Sequence, residues 1–218
     1  MDNVINLSAN NSLLIEWMNQ LRCVETQIDR QRFRRNLERI GEIGAYEISK
    51  NLKFHDSEIQ TPLGIKNSYS IKNQPVILTI LRAGVPLFQG VLNYFDAADS
   101  GFVGSYRKHD LNEDFVIRQE YITCPNIENR PLIITDPMIA TGASLIEALK
   151  EILQLGKPSS VHILCAIAAI PGLEELTKAF PDAHIWCGGI DEKLNDKNYI
   201  VPGLGDAGDL AFGSKLQS

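Results

Sequence analysis

The segment LIITDPMIATGASLI (132–146) combines one acidic residue with small hydroxyl and glycine residues. Four apolar or β-branched residues lead into Asp136, and Thr141–Ser144 come just before a helix-like pattern. Backbone N–H groups at the start of a helix, with two hydroxyls beside them, would bind a phosphate group. Asp136 cannot hold a phosphate, but it can accept hydrogen bonds from vicinal sugar hydroxyls. The segment therefore suits a ribose 5-phosphate; the alternative is that Ser144 only caps the helix and Asp136 only forms a turn.

Two arginines follow other apolar runs in the way that Asp136 follows its own. Arg82 comes after VILTIL (76–81) and before Ala-Gly, and such small residues let a backbone approach a ligand closely. Arg107 comes after GFVGSY (101–106). The guanidinium group matches the oxygens of a diphosphate. A single arginine at the end of a strand is more often part of a surface ion pair, so the interpretation depends on both residues standing at one site.

The segment IVPGLGDAGD (200–209) has a different composition from the rest of the chain. Three glycines and a proline predict a loop that offers no apolar side chains to a core. Turn formation alone could explain both Asp206 and Asp209, and for Asp209 we prefer that interpretation.

Short apolar runs alternate with helix-like segments along the chain. The patterns predict strands at 76–81, 101–108, 132–135, 160–169 and 184–190, and helices at 87–95, 144–156 (closed by Gly156) and 171–180. They also predict one or two amphipathic helices within 11–52 and a long polar hairpin at 109–130. Such alternation is typical of an α/β fold with a mostly parallel sheet and helices on both faces. Ligands of these sheets bind beyond the carboxyl ends of the strands.

The composition limits the class of protein. The chain has 218 residues, 44% of them hydrophobic and 22% charged, which suits one domain with a substantial core. It has neither an apolar run of the ~18 residues that a membrane span needs nor an export signal, so we expect a cytoplasmic protein without membrane association. The formal net charge of −6 argues against nucleic-acid binding. The four cysteines are widely spaced and indicate neither a zinc site nor a disulfide framework.

Taken together, these motifs resemble those of a known family. LIITDPMIATGAS is similar to the phosphoribosyl-diphosphate (PRPP) motif of type I phosphoribosyltransferases. Most of that superfamily has two adjacent acidic residues; here Thr135 takes the first place, and a single Asp before Pro-Met is the pattern of uracil phosphoribosyltransferases. YIVPGLGDAGDLAFGS (199–214) resembles that family's uracil-binding segment. ILRAGVPLFQGVL, FRR, TPLG and IDEKLNDKNYIVPG also match, so the resemblance covers nearly the whole chain after about residue 20.

The resemblance implies a fold and a reaction. The fold would be a type I phosphoribosyltransferase-like sheet in one domain, 1–218, with an N-terminal helical segment (11–52), a hairpin lid (109–130) and a small base-recognition region (190–218). The reaction would transfer the 5-phosphoribosyl group from PRPP to uracil, giving UMP and diphosphate in pyrimidine salvage. Mg²⁺ would be carried by PRPP rather than by protein side chains. A homo-oligomer, either dimer or tetramer, is also expected.

The resemblance also implies roles for individual residues. The catalytic residues would be Arg82, Arg107 and Asp136. PRPP would be bound by these three together with Pro137, Met138, Ile139, Ala140, Thr141, Gly142, Ala143, Ser144 and Asp206. Uracil would be bound by Ile200, Gly205, Asp206 and Ala207. In this superfamily the diphosphate loop often contains a cis peptide that does not involve proline, and Leu81–Arg82–Ala83 is the place where we expect one.

The loop composition suits the recognition of uracil. Uracil presents an acceptor, a donor and an acceptor along one edge, and fixed backbone N–H and C=O groups can match that order without side chains. Cytosine presents the opposite polarity at positions 3 and 4, so it would leave buried groups unpaired at about 1–3 kcal/mol each.

Some features depart from the family pattern or allow other interpretations. Ala143 replaces a glycine, which is harmless only if its φ is helical. Leu210 and Ala211 stand where a basic and a larger apolar residue are usual, which raises a question about C-terminal packing. The basic run Arg30–Arg39 could bind a GTP activator, although a solvated helix face or a subunit contact is the simpler interpretation. Two alternative functions are a regulator that senses PRPP or uridine nucleotides with weak transferase activity, and a transferase for another base.

Overall fold

A computed structural model describes residues 3–109 and 115–214 of the protein. Within these ranges, side chains are described for every residue except those between 105 and 120. In chain order, its helices and strands are β1 (Val4–Asn6), α1 (Leu13–Arg22), α2 (Arg30–Ser49), β2 (Phe54–Thr61), β3 (Gly64–Ile71), β4 (Val76–Leu81), α3 (Val85–Leu92), β5 (Asp99–His109), β6 (Phe115–Thr123), β7 (Pro131–Thr135), β8 (Met138–Ile139), α4 (Ala143–Ile152), β9 (Ser160–Ala169), α5 (Ile170–Ala179), β10 (His184–Asp191), β11 (Lys193–Leu194), β12 (Ile200–Val201) and α6 (Ala207–Phe212).

Within the described residues, one eight-stranded sheet forms the centre of the molecule. Its order is β1-β10-β9-β7-β4-β5-β6, and β8 pairs separately with β9. All of its strands pair in parallel except β6, which runs antiparallel to β5. Because β4, β7 and β9 are neighbours and parallel, their carboxyl ends lie along one edge, as the sequence predicts.

Helices cover both faces of this sheet, which confirms the predicted α/β class. One face packs against α1, α2 and α3 through residues such as Leu37 and Ile77. The other packs against α4 and α5 through residues such as Leu149 and Ile163. Since the central strands are buried on both sides, they are continuous apolar runs rather than alternating ones.

Two buried threonines lie side by side at the centre of the sheet, Thr79 on β4 and Thr135 on β7. The Thr79 hydroxyl donates to the Thr135 carbonyl at 3.2 Å, and the Thr135 hydroxyl donates to the Leu78 carbonyl at 3.3 Å. Thr135 therefore has a structural partner at the place where most of the superfamily carries an acidic residue.

The hairpins differ from the sequence prediction. The arms of the predicted 109–130 hairpin are in fact β5 (99–109) and β6 (115–123), because the strand predicted at 101–108 is itself the first arm. The residues between the arms lie outside the described part of the chain. The sequence also failed to predict the β2–β3 hairpin, since its largely exposed strands show neither apolar alternation nor an apolar run.

One helix is shorter than predicted, and the choice between one and two helices within 11–52 is decided. The helix predicted at 144–156 ends at Ile152, and Gly156 lies close to Ile127 and Glu128 instead of capping the helix. The N-terminal helical segment is two helices, because Asp29 accepts hydrogen bonds from the backbone N–H groups of Gln31 and Arg32 and so begins α2.

In the described part of the chain, the helices lack the length and apolar character that crossing a bilayer requires.

Candidate active site

Asp136 lies directly after β7, where the chain turns to run beside β9. Its backbone N–H donates to the carbonyl of Leu164 at 3.1 Å, and the carbonyl of the buried Pro137 accepts from Ala166 and Ile167. Met138 and Ile139 then form β8 in register with β9. The acidic residue is therefore held by the strand ladder rather than by a free loop.

The Asp136 carboxyl has an unusual environment. The side chain is half-buried, and one carboxylate oxygen accepts from the backbone N–H of Met138 at 3.3 Å. Desolvation disfavours the charged form and raises the pKa of Asp136 to about 7, while the hydrogen bond from Met138 opposes this shift. A carboxyl that titrates close to neutrality, at the end of a strand in the predicted site, is typical of functional positions.

The segment after β8 forms the start of α4, with Gly142 as its N-cap. Gly142 adopts the left-handed conformation (φ 77°), and Ala143 is the first helical residue. The Cβ of Ala143 is therefore compatible with the helical geometry that the sequence analysis requires. Ser144 lies inside the helix and is not its cap. Thr141 accepts from the Ala143 N–H at 3.4 Å, so a hydroxyl and the first N–H groups of α4 stand together at the helix start.

Close packing fixes this helix start against α5. An added Cβ on Gly142 would lie 3.0 Å from the Gly172 carbonyl oxygen, and one on Gly172 would lie 2.2 Å from the Ala140 carbonyl oxygen. The loop 140–142 and the first turn of α5 thus touch backbone to backbone. This contact fixes the position of the loop 140–142, part of the predicted phosphate-binding segment, at the end of the sheet.

Arg82 follows β4, the strand next to β7, so it lies at the same edge as Asp136. The Leu81–Arg82 peptide is cis, as the resemblance predicts for this loop. The Arg82 side chain is 43% exposed and its Nη2 lies 3.4 Å from Oδ1 of Asp209. An added Cβ on Gly208 would lie 3.7 Å from the same Nη2. Arg82 therefore reaches the C-terminal segment.

That contact corrects the interpretation of Asp209, for which turn formation alone was preferred. Asp209 pairs with Arg82, and its backbone N–H donates to Oδ1 of Asp206 at 2.9 Å. Asp206 is the exposed N-cap of α6, so it has a structural role besides the predicted binding role. The geometry brings the C-terminal segment and the loop Leu81–Ala83 together.

We call residues 200–207 the base loop. Contrary to the sequence prediction, it does contribute apolar side chains to the core, since Ile200, Leu204 and Ala207 are buried there. Gly205 is exposed with a left-handed φ of 96°, and an added Cβ there would lie 3.7 Å from Leu210 Cδ1. The loop therefore combines buried apolar side chains with an exposed backbone that could read a base.

The departures from the family pattern at the C-terminus have a simple packing explanation. Ala211 is fully buried and Leu210 packs against the same core. The carbonyl of Ala211 accepts from Nη1 of Arg34 at 2.7 Å. The small residue at 211 thus lets α6 lie close to α2.

The basic run Arg30–Arg39 is largely engaged in the fold. Besides Arg34, Arg35 pairs with Glu38 at 2.8 Å and Arg39 lies 5.6 Å from the centre of the Trp17 ring. Such partners favour a structural role for these arginines over a nucleotide site.

Arg107 lies on β5, which extends past the end of β4. Leu81, the last residue of β4, is in register with Gly104, so the backbone of Arg107 lies three residues further along. This places the residue on the same edge of the sheet as Arg82. Its side chain lies outside the described residues.

Two residues that the sequence analysis did not single out also bear on the site, Arg22 and Asp191. They form an ion pair with two contacts of 2.8 Å, and both bond to Gly203 of the base loop. Asp191 falls within the matched motif IDEKLN, at the end of a strand, which is the signal that could have indicated it.

The described acidic side chains are too few to hold a Mg²⁺ ion by themselves. Among the described residues, no group of three His, Cys, Asp or Glu side chains could hold a metal ion. Asp136 is the carboxylate at the end of β7, and one of its oxygens is already bonded to a backbone N–H. These residues therefore fit an Mg²⁺ ion whose ligands come mainly from phosphate oxygens and water.

Comparison with known proteins places this geometry in a family. The family model described as uracil phosphoribosyltransferase matches residues 8–214. A uracil phosphoribosyltransferase from Porphyromonas gingivalis is 46% identical over 98% of this chain and 99% of its own length. One from Thermococcus gammatolerans is 38% identical over 94% of this chain and 91% of its own.

Solved structures agree with these sequence matches. The AQ2163 protein from Aquifex aeolicus superposes with a TM-score of 0.85 at 32% identity, over 98% of this chain and 99% of its own. A purine phosphoribosyltransferase from Pyrococcus horikoshii shares the fold, with a TM-score of 0.50 at 15% identity over 72% of this chain and 84% of its own. The family model, the relatives and the site geometry lead to one conclusion: this chain belongs to the uracil phosphoribosyltransferase family.

Proposed function

We propose that this enzyme transfers the 5-phosphoribosyl group from PRPP to N1 of uracil, giving UMP and diphosphate. The observation that carries the proposal is the contact between Arg82, after β4, and Asp209, beside the base loop. Asp136 follows the neighbouring strand β7. A sugar phosphate at Asp136 and a base at the loop would then lie side by side at one edge of the sheet.

Each part of PRPP has a matching group in this arrangement. The helix start at Thr141–Ser144 would bind the 5-phosphate through N–H groups and hydroxyls. Asp136 would accept hydrogen bonds from the ribose hydroxyls. Arg82 and Arg107 would bind the diphosphate and stabilise the charge that develops on it as it leaves.

The chemical step needs positioning rather than a nucleophilic side chain. The bond between ribose C1 and the diphosphate oxygen breaks with oxocarbenium character, while uracil N1 forms a bond to C1 from the opposite face and loses its proton. When bound with PRPP, Mg²⁺ would neutralise part of the leaving group's charge. The base loop would hold uracil by its edge, with Ile200, Gly205, Asp206 and Ala207 nearest to it, so that N1 faces C1.

A panel of bases tests the proposal directly. The purified enzyme, with PRPP and Mg²⁺, should convert radiolabelled uracil to UMP and leave cytosine, orotate and hypoxanthine unchanged. Equal use of hypoxanthine would contradict the proposal, and so would the absence of UMP. The regulatory alternative gains no support from the comparisons, since the relatives are named as transferases.

We propose that the enzyme is a homo-oligomer, at least a dimer, and that the β2–β3 hairpin contributes to the contact. The hairpin exposes large apolar side chains: Leu63 is fully exposed, Tyr69 is 72% exposed and Ile65 is 66% exposed. Exposed apolar groups that lie close together commonly mark protein interfaces. Replacing Leu63 and Ile65 by Ser should shift the mass in sedimentation toward the monomer; an unchanged mass would contradict this contact.

The remaining roles are proposals of smaller scope. We propose that residues 1–218 work as one domain in which 190–218 recognises the base and the β5–β6 hairpin excludes water from the reacting sugar. We propose a cytoplasmic location, which the four free thiols support. Activation by GTP at Arg30–Arg39 is tested by measuring UMP synthesis with and without GTP, and an unchanged rate would remove it.

A further inference from the structure

An ion pair joins the base loop to the rest of the protein. Its two residues end elements that lie far apart in the sequence but meet in the fold. Arg22 is the last residue of α1 and Asp191 is the last residue of β10. Nη1 and Nη2 of Arg22 each donate to a different carboxylate oxygen of Asp191 at 2.8 Å. We infer that this pair positions the base loop, and that through it Arg22 and Asp191 determine how well the enzyme binds uracil. The inference rests on the proposed function.

Both polar groups of Gly203 are bound by the pair. The Gly203 N–H donates to Oδ2 of Asp191 at 2.8 Å, and the Gly203 carbonyl accepts from Nη1 of Arg22 at 3.1 Å. Gly203 stands only two residues before Gly205 in the base loop. A shift of this residue would move the backbone groups that are proposed to face the uracil edge.

The environment makes the pair costly to break. The side chain of Asp191 is 7% exposed and that of Arg22 is 24% exposed. A carboxylate removed from water is stable only when its oxygens are paired, and removal of one partner leaves an uncompensated charge. The loop is therefore held through strong, directional, charge-assisted hydrogen bonds.

The surrounding packing is adapted to the guanidinium group. An added Cβ on Gly189 would lie 3.2 Å from Nη2 of Arg22 and 3.2 Å from Cε of Met18. A side chain at this position of β10 would thus compete with Arg22 for space. The glycine leaves room for the arginine to reach Asp191 along the strand end.

Neither residue belongs to the proposed PRPP-binding segment 136–144, which we call the PRPP cradle. Residues 136–144 are positioned by β7, β9 and α4, whereas Arg22 and Asp191 act on Gly203. Arg22 and Asp191 are therefore positioning residues rather than catalytic ones. Their loss should weaken uracil binding more than PRPP binding, a split that general destabilisation would not produce.

The experiment compares Asp191→Asn and Arg22→Gln with wild type in steady-state UMP synthesis. Since a hydrogen bond to a charged group contributes about 1.5–3 kcal/mol, KM for uracil should rise by about 10- to 100-fold. KM for PRPP should rise much less than KM for uracil, because Asp206 is the one proposed PRPP contact that lies in the base loop, and the preference for uracil over cytosine should fall. Arg22→Lys keeps the charge but loses the bidentate geometry, so its KM for uracil should lie between those of wild type and Arg22→Gln.

Arg130→Gln is a matched control. Arg130 is 22% exposed, pairs with Asp99 and donates to the carbonyls of Gln74 and Pro75, close to the amino-terminal end of β4. Its loss removes hydrogen bonds of the same kind far from the base loop, although its partner Asp99 is 60% exposed whereas Asp191 is 7% exposed. Arg130→Gln should lower the midpoint of unfolding while leaving both KM values unchanged.

Three results would overturn the inference: an unchanged KM for uracil in a folded Arg22→Gln, a parallel rise of both KM values, or the same kinetic pattern in Arg130→Gln. If Asp191→Asn does not fold, the graded series Arg22→Lys and Arg22→Gln decides. An inactive wild type would contradict the proposed function instead, so the two failures are distinguishable.

Discussion

Replacing Asp136 by Asn should stabilise the free protein while it removes activity. Burial raises the pKa of Asp136 in the folded state to about 7, against an ordinary value of 3.8. The folded chain then holds a proton that the unfolded chain releases, so the contribution of Asp136 to stability is greatest below pH 4 and is lost as the pH rises from about 4 to 7. Above pH 7, the carboxylate is ionised in both states and the full cost remains.

The magnitude follows from the size of the shift. A difference of about 3 pKa units corresponds to about 4 kcal/mol at pH 8.5 and to between 1 and 2 kcal/mol at about pH 5. An asparagine has nearly the same shape, can still accept from the Met138 N–H, and carries no charge. Asp136→Asn should therefore exceed wild type in free energy of unfolding, and by about 2–3 kcal/mol more at pH 8.5 than at pH 5.

Urea unfolding of both proteins at the two pH values measures this difference, and the subtraction of wild type at each pH cancels the other titrating groups. The same variant should lose about 10- to 1,000-fold in UMP synthesis, the range for the loss of one strong electrostatic contact. A stability difference that does not change with pH would refute the desolvation argument. Activity within about twofold of wild type would refute the assignment to ribose.

Three further predictions concern the base loop and the sheet. Gly205→Val should abolish UMP synthesis, because the left-handed φ of 96° excludes a β-branched residue. If this variant kept normal activity and selectivity, side chains rather than backbone groups would be reading the base. Leu204→Ala should keep the preference for uracil over cytosine in kcat/KM but lower the free energy of unfolding by about 2–4 kcal/mol, since Leu204 is buried; loss of the preference would contradict the backbone account. Burial lowers the pKa of His162 to about 4, so stability should fall by up to about 3 kcal/mol from pH 6.5 to 4, and His162→Gln should flatten this dependence in urea unfolding.

The sequence predicted those parts of the fold that are buried on both sides. Strands β4, β7, β9 and β10 are near-continuous apolar runs, and each was located to within a residue or so. The β2–β3 hairpin was missed because its largely exposed residues carry no burial pattern. The apolar residues of the base loop were missed because glycine and proline dominate its composition.

Within the site, the sequence indicated residues that belong to local motifs and missed those that act across the fold. Asp136 and Gly142 stand in one continuous segment, so their neighbourhood could be inferred. The pairing of Arg22 with Asp191 joins residues 169 positions apart, and Arg82 meets Asp209 across 127 positions. Such pairs arise from the strand order, which single-residue patterns do not specify.

The base loop depends on both ends of the chain. Its bond from Arg22 spans 181 positions, and the bond from Arg34 to α6 spans 177, whereas the proposed PRPP cradle is built from the middle of the sequence. During synthesis on the ribosome, the sugar-phosphate half could thus be complete before the base half can exist. In evolution, changes confined to the two termini could alter the accepted base while the donor half is inherited unchanged.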